Sequence, residues 1–228
     1  MNKIVSYQVQ ENIATITIDD GKANAVSFQF LEEVNAALDQ AEQDNAVVIL
    51  TGRPGKFSAG FDLSVVTKGG EAALKLARAG AQLTVRLLGF PTPVIVACNG
   101  HCMALGALLL LSTDYRVGVE GNYKIGTNEV AIGITLPYFG VELARLRLSP
   151  IYFNRSVVNA ETYTPQGAVE AGFLDVIVSE EKLMETAMQS AQTLGKLDMA
   201  AHNATKLRVR EKAISIINRA IEKEFSIS

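Results

Sequence analysis

The chain has 228 residues, 48% of them hydrophobic and 20% charged, with a formal net charge of −3. That apolar content suffices for a buried core and excludes intrinsic disorder, and 21 basic against 24 acidic residues leave no overall positive field for nucleic acid. Two cysteines and two histidines exclude a disulfide scaffold and fall short of an ordinary structural zinc shell.

Residues 1–19 read as a hairpin. Ile4, Tyr7 and Val9, then Ile13, Thr15 and Thr17, are β-branched or aromatic around a turn at Gln10-Glu11-Asn12, and no signal-peptide apolar region is present. Residues 24–27 lead into an amphipathic helix with Phe30, Leu31, Val34, Ala37, Leu38 and Ala41 at helical spacing and Ser27 as N-cap. Residues 46–50 form a continuous apolar strand of the type buried on both faces. A turn at 51–55 and the segment 56–63 come next. A helix from about Glu71 to Leu88 follows, with Leu74, Ala77, Ala81 and Leu87-Leu88 facing one way, a stripe that suits an acyl pocket or ordinary core packing. Then come a strand over 93–98, a sharp turn at Asn99-Gly100 and an apolar helix over 103–111.

The positive mean hydropathy of +0.18 concentrates in residues 93–111. Asn99-Gly100-His101 interrupts that stretch, and its clean run from Met103 to Leu111 is about half of the ~20 residues a spanning helix needs. No membrane span is expected, and a reducing, cytoplasmic setting fits the two cysteines. Short strands follow near 115–119 and 123–125. Thr164-Pro165 marks a helix start and Gly172 its stop, ahead of a strand over 174–178. The remainder reads as two amphipathic helices. The alternation predicts one α/β domain, with residues 1–178 as its core and 179–228 as its helical C-terminal portion.

Common catalytic signatures are missing. Gly52-x-x-Gly55-Lys56 has its glycines too close for a phosphate loop and no Ser or Thr after the lysine, Cys98-x-x-x-Cys102 lacks metal-ligand spacing, and no G-x-S-x-G elbow occurs. What remains is a pair of buried strands, 46–50 and 94–98, each running into a glycine-containing turn and a helix. Such turns aim backbone N–H groups outward, as an oxyanion hole requires, here around Ala59, Gly60 and Phe61 and at the start of the helix over 103–111. The same turns also serve as plain connections in any α/β fold.

Here the residues reach a family. The segment from Lys56 to Leu63 resembles the F-S/A-A-G-x-D-I/L motif of the crotonase (enoyl-CoA hydratase/isomerase) superfamily. Asn99-Gly100 with the helix to Ser112-Thr113-Asp114-Tyr115-Arg116 resembles its second motif, and Asn128-Glu129-Val130-Ala131-Ile132-Gly133 is similar to its P-E-x-x-I/L-G segment. Residues 164–175, with Ala168 and Ala171-Gly172-Phe173-Leu174, resemble the segment that follows. The resemblance runs in order from the hairpin to about Val178, in a chain somewhat shorter than the family norm.

It implies a ββα spiral, a coenzyme A thioester as substrate, no separate cofactor or metal, and a homotrimer or dimer of trimers. It also implies that the backbone N–H groups of Phe61 and Leu105 hold the thioester oxygen. Leu105 stands where the family has a glycine, which implies restricted backbone freedom there. Glu129 corresponds to a catalytic glutamate, while Leu108 replaces the second glutamate of hydratases and resembles the isomerase branch. Pro137 occupies the aspartate position of the family's thioester hydrolases. Lys56, Ser58, Ala59, Gly60 and Gly106 correspond to the stretches that receive coenzyme A and the thioester. The implied activity is transfer of a double bond from 3-enoyl to 2-enoyl, with single-glutamate hydration or non-catalytic acyl-CoA binding as the alternatives. On pattern alone, Glu129 also reads as a surface residue pairing with Lys124. Glu142 reads as a solvated helix residue and reserve acid, Asp62 as a cap, and His101 as a hydrogen-bonded turn residue.

Overall fold

In the computed structural model, which describes residues 2–226, Glu11 and Asn12 take φ of 49° and 61°. Two successive left-handed residues suit the twist of a tight hairpin. They join β1 (Val5–Gln10) to β2 (Ile13–Ile18) in antiparallel register, Gln10 opposite Ile13. Helix α1 (Phe28–Gln43) begins where the Ser27 hydroxyl oxygen accepts the Phe30 N–H at 3.1 Å.

From there the chain repeats one unit: a strand in a large sheet, a strand in a small sheet, then helix. The first unit is β3 (Val47–Thr51), β4 (Gly55–Ser58), α2 (Leu63–Val66) and α3 (Gly70–Leu88). The second is β5 (Val94–Cys98), β6 (Gly100–Met103) and α4 (Leu105–Leu111). The third is β7 (Tyr115–Val119), β8 (Ile125–Gly126) and, past a 3-10 turn at Val130–Ile132, α5 (Tyr138–Arg147). The chain continues through α6 (Pro150–Val157), α7 (Pro165–Ala171), β9 (Val176–Val178), α8 (Leu183–Leu194) and α9 (Met199–Glu224). The large sheet runs β1-β2-β3-β5-β7-β9, parallel after its first pair, and the small sheet β4-β6-β8 is parallel throughout.

Strand periodicity divides the core. Val48, Leu50, Val94 and Val96 face the main cluster with α1, α3 and α4, whereas Val47, Ile49, Ile95 and Ala97 face α8 through Leu183, Ala187 and Ala191.

One expectation is corrected. Asn99-Gly100 is not a turn into a helix at Met103, because residues 100–103 form β6, pairing with β4 in the register Gly55↔Gly100, and α4 begins only at Leu105. The two strands approach so closely that a Cβ on Gly100 would collide with the Gly55 backbone. The glycine serves that approach.

The middle of α9 is fastened to the sheet by buried charge. Asp114 Oδ2 accepts the Val94 N–H at 2.8 Å and the Lys206 ammonium at 2.7 Å, while Oδ1 accepts from Arg210 at 2.8 Å. Lys206 also donates to the carbonyls of Phe90 and Thr92, each at 2.9 Å. Every charge in the cluster has hydrogen-bonded partners, the condition for tolerating ions in a core.

Candidate active site

The loop after β4 is shaped by its neighbours. Asn24, buried with φ 51°, donates from Nδ2 to the carbonyls of Ile18 (2.8 Å) and Phe57 (3.1 Å), and its Oδ1 accepts the Asp20 N–H (3.0 Å). With that segment pinned, Ala59 N–H donates to the Ala23 carbonyl, Val26 N–H to Gly60, and Asp62 N–H to Val26. The Gly60 N–H reaches the Ser58 hydroxyl oxygen at 3.2 Å. The Phe61 N–H has no acceptor among the described residues.

Gly60 takes φ +88°, and a Cβ there would stand 2.6 Å from Ala104 Cβ and 3.1 Å from the Leu105 nitrogen. The second loop is therefore pressed against the first. The Leu105 N–H is the first of α4, where a helix has no internal acceptor, and it too has none among the described residues. Two uncommitted amides from successive units of the spiral thus lie side by side. The strain expected at Leu105 falls one residue earlier: Ala104 has φ 52° and ψ −127°, whereas Leu105 is helical and wholly buried. Gly80 of α3 makes room, since a Cβ there would meet the Phe61 ring at 2.5 Å and the Leu105 side chain at 2.9 Å.

Phe61, and Ala104 directly before Leu105, border a cavity of about 410 Å³, which Leu105 itself does not line. Ala59, Phe61 and Ala104 line it beside Leu108 and Glu129, and Leu74 and Ala77 of α3 form an apolar wall. The remaining members of the expected stripe, Ala81, Leu87 and Leu88, are core residues instead.

Glu129 follows β8, and its own carbonyl accepts the N–H groups of Ile132 (3.1 Å) and Ile134 (2.9 Å), which folds the loop back around it. The residue is 8% exposed and Oε2 has no hydrogen-bond partner. Burial pushes the carboxyl from its ordinary 4.5 up to about 7, against a weaker downward pull from the backbone amides of Glu129 and Asn128. It makes no salt bridge among the described residues, so the surface pairing with Lys124 is not formed. Leu108 and Pro137 both line the cavity and bring no charge to it.

Other candidates lie elsewhere. Lys56 is exposed on β4, Ser58 donates its hydroxyl to the Asn24 carbonyl at 2.8 Å, and Gly106 is buried where a Cβ would stand 2.7 Å from the Ser58 carbonyl oxygen. None of these three lines the cavity. Glu142 faces Arg145 at 3.6 Å outside it. His101 sits on β6, where Nδ1 accepts the Lys124 N–H at 3.0 Å and the ring packs edge-on against Tyr123. Asp62 caps α2 by accepting the Ser64 N–H at 2.9 Å.

The sequence reading missed the end of α9. Glu224 and Phe225 close one side of the cavity, Phe225 against Phe139 and Glu224 with Oε2 accepting the Tyr138 N–H at 2.9 Å. Burial raises the Glu224 carboxyl above its ordinary range. Among the described residues no group of three or more His, Cys, Asp or Glu could hold a metal, and no helix is long and apolar enough to cross a membrane.

A spiral of paired strands that leaves two free amides beside an apolar cavity is the crotonase architecture. A family profile for enoyl-CoA hydratase/isomerase matches residues 8–226, and the chain belongs to that family. A solved Pseudomonas syringae protein described as an enoyl-CoA hydratase/isomerase family member is 50% identical with a TM-score of 0.96, over 97% of this chain and 96% of that one. A Bacillus subtilis relative named probable enoyl-CoA hydratase is 30% identical over 85% of this chain and 80% of its own length. The human mitochondrial protein named enoyl-CoA delta isomerase 1 is 28% identical over 93% of this chain and 72% of its own.

Proposed function

We propose that the chain isomerises enoyl-CoA thioesters, moving a 3,4 double bond to the 2,3 position. The observation that carries this reading is one buried carboxylate, Glu129, unpaired at Oε2 and sharing a cavity with Phe61, whose uncommitted amide neighbours the equally uncommitted amide of Leu105. In this mechanism the amides of Phe61 and Leu105 hold the thioester oxygen. Ionised Glu129 takes a proton from C2, and the electron pair delocalises into a dienolate whose charge rests on that oxygen. Glu129, now protonated, returns the proton to C4, leaving the double bond between C2 and C3. A carboxyl that titrates at about 7 supplies both the base and the acid near neutral pH. Leu108 keeps water unactivated on the facing wall, which favours isomerisation over hydration. Ala59 and Gly60 border the thioester, Lys56 on the exposed edge of β4 meets the nucleotide end of coenzyme A, and Ser58 and Gly106 support the two loops. No group beyond the coenzyme A ester takes part. The protein works as a homotrimer or dimer of trimers.

The test offers trans-3-enoyl-CoA and trans-2-enoyl-CoA to the purified protein and to Glu129→Gln. Conversion of the 3-enoyl ester to the conjugated 2-enoyl ester, reduced by about 10²–10⁴-fold in the variant, supports the reading. Hydration of the 2-enoyl ester as the faster reaction, full activity in the variant, or tight acyl-CoA binding without turnover refutes it.

A further inference from the structure

The cavity contains a second carboxylate that the proposed isomerisation does not use. Glu224 reaches it from the last residue of α9, and Oε2 is occupied by the Tyr138 N–H at 2.9 Å. Its other oxygen has no hydrogen-bond partner among the described residues, and no cation pairs with it there. The nearby Arg78 is already committed, to Glu222 at 2.5 Å and to the Phe225 carbonyl at 3.2 Å. Around Glu224 the wall is apolar, with Phe139, Phe225 and Leu74. A plain hydrocarbon chain filling this space would strip water from the carboxylate and return no hydrogen bond, which is unfavourable. An acyl group with a hydroxyl at that depth would replace the lost water.

We propose that Glu224 is a specificity-determining residue: together with the apolar wall of Phe139 and Phe225, it selects acyl groups that carry a hydroxyl along the chain over unsubstituted hydrocarbon acyl groups. This rests on the reading of the cavity as an acyl pocket. The bond to Tyr138 caps α5, whose N-cap Pro137 offers no side-chain acceptor, so a purely structural role for Glu224 must be separated from recognition. Tyr138→Pro makes that separation. Proline suits the first position of a helix, removes the N–H and leaves the carboxylate in place.

The experiment measures binding by calorimetry, using saturated acyl-CoA esters of six to ten carbons and their terminal-hydroxy counterparts. Saturated esters are not turned over, so the readout is independent of catalysis. The wild-type protein is expected to bind at least one hydroxylated ester about tenfold more tightly than its plain counterpart, the scale of one hydrogen bond to a charged group. Tyr138→Pro should keep that preference, and Glu224→Leu should reverse it in favour of the plain chain. Equal ratios in wild type and Glu224→Leu overturn the proposal while leaving the acyl pocket intact. Loss of the preference in Tyr138→Pro with a folded spectrum assigns Glu224 to capping and also overturns it. Failure of every acyl-CoA to bind overturns both this inference and the function on which it rests.

Discussion

Glu129→Gln should separate stability from activity in opposite directions, and the size of the effect follows from the burial of one carboxyl. The unfolded chain holds this group near its ordinary 4.5, and burial in the fold moves it to about 7. A carboxyl raised on folding is neutral in both states below about pH 4.5, where it has no linkage cost. As the pH rises from 4.5 to 7 the unfolded state ionises first, so the fold loses stability. Above 7 the full penalty stands, about 3 kcal/mol at 1.36 kcal/mol per pH unit. Glutamine has the same shape and no charge, so the variant escapes this penalty. Urea titrations of both proteins between pH 4 and 9 should nearly converge at the acid end. At the alkaline end the variant should be more stable by about 3 kcal/mol, or about 6–12 °C in melting temperature for a chain of this size. All other ionisations are shared and drop out of the difference. Parallel stability curves, with a constant gap across the pH range, would refute both the burial of the charge and the assignment of its titration. A stability gain accompanied by lost turnover is the usual signature of a catalytic group held against its own preference.

Two further substitutions probe the scaffold. Ala104→Gly should raise stability by about 0.5–2 kcal/mol, because glycine relieves the strain of φ 52° at a modest cost in unfolded-chain entropy. A loss of more than about 1 kcal/mol in urea unfolding would contradict strain at that residue. Asp114→Asn leaves the buried Lys206 and Arg210 without their shared counter-charge. It should cost about 3–5 kcal/mol in the same assay, and a change below about 1 kcal/mol would show that α9 is held by its apolar contacts alone.

Much of the fold was legible because its signals are local. The hairpin turn, the Ser27, Asp62 and Thr164 caps and the Gly172 stop are decided by residues within a few positions of one another. Alternation in β3 and β5 was hidden, since strands buried on both faces are apolar at every position, but their apolar runs marked them as strands. β6 was not legible: Asn99-Gly100 carries the local pattern of a turn, and only pairing with the distant β4 and β8 makes residues 100–103 extended. The burial of Lys206 and Arg210 was not legible in a segment read only as amphipathic helices, because it depends on Asp114, 92 and 96 residues away. The same holds within the site. The Phe61 and Leu105 amides and Glu129 lie in contiguous motifs, whereas Glu224 meets Tyr138 across 86 residues and leaves no periodic or compositional trace.

The two free amides have a consequence for how this site tolerates change. Main-chain N–H groups are present whatever side chain residues 61 and 105 carry, so those side chains matter here for packing and not as hydrogen-bond donors. The constraint is displaced to residues that never touch a ligand: Asn24, whose amide pins the first loop, Gly60, which admits the second, and Gly80, which seats both side chains from beneath. A substitution in that ring of supports should therefore disturb the two amides more than a substitution at residue 61 or 105 that preserves packing against Gly80.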